Sequence, residues 1–273
     1  MRPFSDLPPH ALLVLVALAA AGLAWPTLFP RSAPAAEQAA RAKTGGDVAA
    51  VDPVSRPAVP RKAAEPRAKP RPRGYLVVAP ARGTELAVHS RPGGPVSVRL
   101  GAQTEFGSPQ TLAVVRRRGA WLAVVTTHLA NGKLGWIRKR RGDLRVARTR
   151  LNLLLDLSAR RLVLRADGRP VRRMTVGVGR EGSPTPVGRF AVTDKLSGAA
   201  YGSYYGCCIL ALSAHQPNLP PGWRGGDRIA IHGTNDPWSI GTASSAGCPH
   251  ARDADLRVLM RRVPLGAPVF VRP

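Results

Sequence analysis

Hydrophobic and polar positions change their arrangement several times along the 273-residue chain. Residues 11–25 form an uncharged apolar run, which is shorter than the roughly 20 residues of a membrane-spanning helix but matches the core of an export signal. Together with the small residues Ala33 and Ala35, this run predicts a cleaved signal peptide within residues 1–36. An uncleaved N-terminal membrane anchor and a buried core helix stay open. In the first two interpretations, the rest of the chain lies outside the cytoplasm.

Residues 37–73 lack the apolar positions of a core and consist mostly of Ala, Pro, Lys and Arg. Such a composition predicts a disordered tether, because it offers too little apolar surface to bury. Frequent prolines stiffen the backbone toward the extended polyproline II conformation. We therefore expect this segment to hold a folded module away from the membrane.

Residues 74–148 show short apolar runs separated by Gly, Pro and Asn, which predicts a small all-β domain. Alternation in "LAVVTT" and the Asn131–Gly132 pair predict a hairpin with "KLGWI", since Asn-Gly suits a type I′ turn. The spacing loosely resembles a bacterial Src-homology-3-like barrel. That resemblance implies a wall-binding or spacer module, and an inert β domain is the alternative.

Residues 149–273 open with two predicted strands around "LSAR" and an Asp167–Gly168 turn into a third strand. A single convincing helix follows at "DADLRVLMRRV", with Asp253 as its expected N-cap. The pattern as a whole predicts a mainly β fold, namely a mostly antiparallel β sandwich with one late helix. One face of the third strand is expected to carry Met174, Val176 and Val178.

The net charge of +25 comes from 41 Lys and Arg against 16 Asp and Glu, and it is spread over the whole chain. For an exported chain, such a balance favours anionic wall polymers or lipid headgroups as partners. An arginine-rich bias of solvated surfaces explains it equally well. Nucleic acid is not expected as a partner, because no basic stripe carries the aromatic residues that stack on bases.

Cys248 and His232 are the candidate chemical groups. His232 ends the predicted strand "RIAIH", and the loop 233–247 is long enough to bring Cys248 beside it. A base near a thiol and backbone amides near its target would make a nucleophile with an oxyanion hole, for which Gly247 and Cys248 offer the amides. The alternatives are an inert buried cysteine, a structural histidine, and a zinc site of Cys248, His232 and His250, which lacks the usual ligand spacing. No metal and no cofactor is expected.

Four motifs along residues 151–273 occur in the order typical of one enzyme family: "LLDLSARRLVLRADG", "VGVGREGSPTPVGRF", "IHGT" and "S-x-G-C". This part of the chain resembles the catalytic domain of the L,D-transpeptidases, the YkuD-type cell-wall enzymes. The resemblance implies a cysteine enzyme that acts on peptidoglycan stem peptides. It also implies that "TPVG", which begins at Thr185, has a structural rather than a catalytic role.

The resemblance assigns roles to five residues. It implies that Cys248 is the acylated nucleophile and His232 its base, oriented by the backbone carbonyl of Gly233. Ser245 would hold the loop before the nucleophile and help to bind the substrate. Gly247 would supply an amide to the oxyanion hole.

Tyr201 and Tyr204 resemble the start of the lid that covers the active site in this family, which implies substrate contacts. Packing in the core is the alternative for both. The nearby Cys207 and Cys208 are expected to point to opposite faces of a strand, although one disulfide beside a free Cys248 would also suit the odd cysteine count.

The chain departs from the family pattern after the nucleophile, where His250 stands in place of the usual arginine and Ala246 in place of a frequent histidine. His250 would be a cationic substrate contact only when protonated, so we expect activity to favour mildly acidic pH.

The combined expectation is an extracytoplasmic enzyme that crosslinks peptidoglycan stem peptides through a thioester. An L,D-carboxypeptidase that uses the same thiol and a non-catalytic wall-binding protein are the alternatives.

Overall fold

The described part of the chain folds into two seven-stranded sheets, which follow one another in sequence, and one two-stranded sheet. A computed structural model describes residues 74–273. The predicted signal segment (1–36) and tether (37–73) lie outside these residues. Within residues 74–273, no helix has the length and apolar character needed to cross a membrane.

The first sheet contains residues 75–149 and has the strand order β3-β2-β6-β5-β4-β1-β7. Its strands are β1 (Tyr75–Pro80), β2 (Leu86–His89), β3 (Val96–Leu100), β4 (Leu112–Arg118), β5 (Trp121–Val124), β6 (Gly135–Arg138) and β7 (Leu144–Thr149). The predicted hairpin is present as the antiparallel pair of β5 and β6, but residues 125–134 join the two strands instead of a two-residue turn. The Src-homology-3-like barrel stays a prediction.

The second sheet contains residues 151–272 and has the order β10-β9-β8-β16-β12-β13-β14, where β11 and β15 form a separate parallel pair. The strands are β8 (Leu151–Asp156), β9 (Arg161–Ala166), β10 (Arg169–Thr175), β11 (Val178–Gly179), β12 (Gly188–Ser197), β13 (Cys208–His215), β14 (Arg228–His232), β15 (Ala243–Ser245) and β16 (Pro268–Arg272). The predicted turn after β9 is present, with positive φ at Asp167 and Gly168. The mainly β class with one late helix is confirmed.

Helix α1 (Asp253–Arg262) packs the buried Leu256 and Leu259 into the core of the second sheet. The predicted N-cap is wrong by one residue, because Arg252 holds that position without a side-chain cap. The Asp253 carboxylate instead accepts a hydrogen bond from Cys207 N at 3.0 Å. Cys207 is distant from Asp253 in sequence, so no local helix signal could predict this hydrogen bond.

The first sheet contacts the second through β12, β13 and β14. Thr104 donates to the carboxylate of Asp194, which is 0% exposed. Asn131 forms a reciprocal pair with the backbone of His215, through Nδ2 to His215 O at 2.6 Å and His215 N to Oδ1 at 3.0 Å. Buried polar groups of the second sheet therefore depend on donors and acceptors of the first.

Candidate active site

The edge of the second sheet brings His232 and Cys248 together. β14 is the last strand of that sheet, and its free edge pairs in parallel with the chain that follows Cys248. His232 N donates to Pro249 O at 3.1 Å, and Ala251 N donates to His232 O at 2.9 Å. Since Pro249 is the next residue after Cys248, this pairing fixes the thiol-bearing residue beside β14.

His232 is buried, with 1% of its surface exposed, and its tautomer is defined by a carbonyl group. Nδ1 lies 2.6 Å from Gly233 O, which can only accept, so Nδ1 carries the proton and Nε2 presents a lone pair. Burial, with a smaller effect of His250, lowers the pKa of His232 to about 4. The imidazole is therefore a neutral base at ordinary pH.

Cys248 is half-buried, and its sulfur lies against the backbone of β14. Sγ accepts a hydrogen bond from Ala230 N at 3.4 Å and lies 3.9 Å from Arg228 O. No hydrogen bond joins Sγ to His232 within residues 74–273. Burial raises the pKa of the thiol to about 11, against the opposing effect of Ala230 N. The resting pair is therefore a neutral thiol and a neutral imidazole.

Both backbone polar groups of Gly247, its N–H and its carbonyl, are hydrogen-bonded. Its N–H donates to Ser245 Oγ at 3.1 Å, and its carbonyl accepts from Thr185 Oγ1 at 2.7 Å. The Gly247 amide is thus already engaged. Cys248 N, the other amide expected in an oxyanion hole, has no acceptor among the described residues.

Gln216 holds the same loop from a second side. Its buried Nε2 donates to Ala246 O and Pro184 O, both at 3.0 Å. Gly247 has a φ of +120°, and a Cβ at that position would overlap Gln216 Nε2. Glycine is therefore required both by the backbone conformation and by the close approach of the amide.

A groove of about 410 Å³ opens beside this loop. Three of the four residues expected to contact substrate, Tyr204, Ser245 and His250, line it. Tyr201 lies outside the groove lining. Its ring packs edge-on against that of Phe106, with the ring centroids 6.4 Å apart. The other lining residues are Arg180, Pro220, Trp223, Thr234, Asp236, Ser239, Ser244 and Ala246.

Comparison with known proteins matches the part of the chain that holds this site. The family model of the L,D-transpeptidase catalytic domain, YkuD, matches residues 152–271. These residues belong to the YkuD family. The four sequence motifs and the paired His232 and Cys248 all lie in this YkuD domain.

Two Bacillus proteins are similar to the YkuD domain in sequence. YkuD of Bacillus licheniformis is 31% identical over 123 residues, and YkuD of Bacillus subtilis is 29% identical over 122 residues. Each match covers 44% of this chain and 65% of the relative, so the chain spans less than two thirds of the length of either protein.

Solved structures of lower identity also match. L,D-transpeptidase 3 from Mycobacterium tuberculosis, in complex with a faropenem-derived adduct, is 16% identical, with a TM-score of 0.36 and coverage of 51% of this chain and 73% of that one. An L,D-transpeptidase from Mycobacterium smegmatis is 16% identical, with a TM-score of 0.37 and coverage of 72% and 99%.

His250 of the YkuD domain is held by a hydroxyl group of the preceding loop. Its Nδ1 lies 2.9 Å from Ser239 Oγ, and that hydroxyl donates to Asp236 O at 2.6 Å. The hydroxyl therefore accepts from Nδ1–H. Burial lowers the pKa of His250, although the charge of Asp236 opposes this effect. The direction of this shift works against the expected protonation at mildly acidic pH, which stays a prediction.

The paired cysteines also differ from the expectation. Cys207 and Cys208 are joined by a disulfide at the start of β13, whereas the sequence predicts side chains on opposite faces of a strand. Cys248 is left as the free cysteine. Among the described residues, no group of three or more His, Cys, Asp or Glu side chains is placed to hold a metal ion.

Two polar residues of the YkuD domain, Gln216 and Arg228, were missed by reading the sequence. Arg228 donates to Thr193 Oγ1 at 2.9 Å and Leu212 O at 2.8 Å, and it pairs with Glu105 of the first sheet. Its own carbonyl faces Cys248 Sγ. Neither residue belongs to a recognisable motif, because their partners are backbone groups and side chains from distant parts of the chain.

Proposed function

We propose that the YkuD domain catalyses acyl transfer on peptidoglycan stem peptides, with Cys248 as nucleophile and His232 as base. The observation that carries the proposal is the fixed His232 tautomer on β14, whose backbone pairs with the residue after Cys248. An imidazole with a free Nε2 beside a single free thiol is the arrangement that nucleophilic catalysis by cysteine requires.

In the first half-reaction, Cys248 Sγ leaves its contact with Ala230 N and turns toward His232 Nε2. Such contacts between base and nucleophile are often long before substrate binds. Sγ attacks the carbonyl carbon between an L-centre diamino acid and the terminal D-alanine while Nε2 takes the thiol proton. Cys248 N donates to the oxyanion. Nε2–H then protonates the leaving nitrogen, the C–N bond breaks, and D-alanine departs from a thioester.

In the second half-reaction, an amine of a neighbouring stem peptide attacks the thioester carbonyl. His232 Nε2 accepts the amine proton and returns it to the sulfur when the C–S bond breaks. One amide bond is broken and one is formed, so the reaction needs no external energy source. If water takes the place of the amine, the same steps describe an L,D-carboxypeptidase.

The neutral resting pair decides how the proton moves. With a thiol pKa of about 11 and an imidazole pKa of about 4, a preformed thiolate–imidazolium pair is strongly disfavoured. Proton transfer must therefore accompany the attack on the carbonyl, as in general-base catalysis. The base must be neutral for this step, and burial keeps it so.

We further propose that the protein works outside the cytoplasm, where its substrate lies. The apolar run at 11–25 supports export or anchoring, and the charge of +25 supports attraction to anionic wall polymers.

Intact-mass spectrometry of the full chain with a disaccharide tetrapeptide carrying meso-diaminopimelate tests this proposal. We expect an acyl adduct that lacks D-alanine, followed by a crosslinked dimer. A tripeptide product without a dimer would instead support the carboxypeptidase.

Cys248→Ala should abolish the adduct, whereas His128→Gln in the first sheet should leave it intact. If the folded wild-type chain gives neither adduct nor turnover, the enzymatic proposal fails and the wall-binding alternative gains support.

A further inference from the structure

The groove beside the loop that precedes Cys248 has a defined charge. Among its lining residues, the only Lys or Arg is Arg180, whose guanidinium is always protonated, and the only carboxylate is Asp236. Asp236 Oδ1 already accepts from Trp238 N at 3.1 Å. Burial lowers the pKa of His250, the other basic residue, which disfavours a second positive charge in the groove. Arg180 is therefore the fixed positive charge of the groove.

Backbone pairing holds Arg180 in register with residues 245–248, which we call the nucleophile loop. Gly177 pairs with His250, and Gly179 in β11 pairs with Ser245 in β15. Arg180 N then donates to Ser245 O at 3.0 Å, three residues before Cys248. These two neighbouring backbone pairings therefore fix the main chain of Arg180 relative to Cys248.

The turn after Arg180 is tied to the same loop. Ser183 N donates to Arg180 O at 3.0 Å and closes the turn. Thr185 Oγ1 accepts from Gly179 N at 2.9 Å and donates to Gly247 O. These bonds make the Arg180 turn and the nucleophile loop one connected unit, which limits the entropy that Arg180 loses when it binds a ligand.

The guanidinium of Arg180 forms no ion pair with another described residue. No carboxylate of residues 74–273 lies within ion-pair distance of Arg180, and the side chain is exposed to solvent at the groove. It acts on the groove electrostatically, because it opposes the rise that burial causes in the pKa of Tyr204. Its donors are free for a planar anion such as a carboxylate.

We propose that Arg180 binds a carboxylate of the donor stem peptide next to the bond that Cys248 attacks. This inference rests on the proposed function, because it concerns the substrate of the same site. Two carboxylates lie near the attacked bond, that of the terminal D-alanine and that of the diamino acid side chain. Both present the planar acceptor pair that a guanidinium binds in a bidentate manner.

Binding to the full chain in a Cys248→Ala background tests the inference without turnover. The probes are a tetrapeptide donor with both carboxylates free, one amidated at the D-alanine, and one amidated at the diamino acid. Loss of a charge-assisted bidentate contact should weaken binding about 10- to 100-fold for one of the two amides.

Arg180→Gln should weaken binding of the free acid to the same extent and bind the sensitive amide as tightly as the acid. Arg180→Lys should retain part of the preference, since it keeps the charge without the planar fork. Arg169→Gln, the same charge change on the exposed strand β10 at the opposite edge of the sheet, should behave like the parent.

The inference is overturned if the parent binds all three peptides equally or not at all, or if Arg180→Gln keeps the preference for the acid. Turnover by the chain with Cys248 intact separates the two proposals. If the chain turns over substrate but its preference for the free acid does not depend on Arg180, only this inference is contradicted. If the preference depends on Arg180 but there is no turnover, only the proposed chemistry is contradicted.

Discussion

The two sheets have equal numbers of strands but very unequal cores. The main cluster of the first sheet holds eight buried apolar residues, whereas that of the second holds 22, including residues of α1. The candidate nucleophile and base both lie in the second sheet. The first sheet has the smaller apolar core, and loops between its strands supply polar partners to groups of the second sheet. The chemistry and part of its structural support therefore come from different sheets.

The largest expected effect separates chemistry from structure. His232→Gln removes the Nε2 base from the second sheet, and we expect kcat/KM to fall about 100- to 10,000-fold, as for loss of a general base. His128→Gln in the first sheet should change kcat/KM less than about twofold. Steady-state kinetics on both variants, together with thermal unfolding curves, would show this division. Equal losses in the two variants would contradict it.

The next effect concerns the precision of the nucleophile loop. Gly247→Ala places a Cβ against Gln216 Nε2 at a position with φ of +120°, so the loop must shift. A displacement of about 1 Å at a reacting group costs about 100-fold in rate. Gly241→Ala is the matched control, because Gly241 also has positive φ but its Cβ would meet only Thr175 at ordinary contact distance. Measured kcat/KM values should separate the two variants, and similar losses would show that backbone strain alone is responsible.

A smaller effect tests the support from the first sheet. Thr104→Val removes the donor to the buried Asp194 carboxylate, whose other oxygen has no hydrogen-bond partner among the described residues and lies 3.9 Å from Arg228. We expect the free energy of unfolding to fall by about 1–3 kcal/mol, the cost of an unsatisfied buried acceptor.

Thr111→Val, which loses only an exposed bond to Pro109 O, is the control for Thr104→Val. Urea unfolding should distinguish the variants, while kcat/KM of the folded protein stays unchanged. A loss of activity without a loss of stability would mean that the first sheet acts on the chemistry directly.

The smallest expected change is in the pH profile. The pKa of His232 is lowered to about 4, so the base stays neutral as the pH falls from 7.5 to 5.5. We expect kcat/KM to change less than about twofold over this range, whereas a base with an ordinary pKa of about 6.5 would lose about tenfold at pH 5.5. Values of kcat/KM measured in buffers from pH 5.5 to 7.5, without added thiol reductant, would give the profile. An acidic limb centred near pH 6.5 would contradict the buried-base explanation.

The local parts of the fold could be predicted from the sequence because their signals are local. Alternating apolar residues and the Asp167–Gly168 turn define β8 to β10, and the expected late helix is present as α1. His232 and Cys248 could be named as a pair only through the family motifs. Their actual placement depends on a parallel pairing across the loop 233–247, which no periodicity reveals.

The missed features are those that depend on distant partners. Gln216 and Arg228 look like ordinary polar residues until the fold places them on backbone groups of other strands. The lowered pKa of His250 likewise comes from burial, which a sequence motif does not report. Asp253 is predicted to cap the helix, but in the structure its carboxylate accepts a hydrogen bond from Cys207 N instead.

The Cys207–Cys208 disulfide has a practical consequence for the remaining sulfur. The chain has three cysteines, so pairing of two leaves each molecule with one free thiol, at the proposed centre of catalysis. One equivalent of covalent label then counts one site. Any preparation can thus be calibrated by stoichiometry, and rates can be expressed per competent molecule rather than per mass of protein.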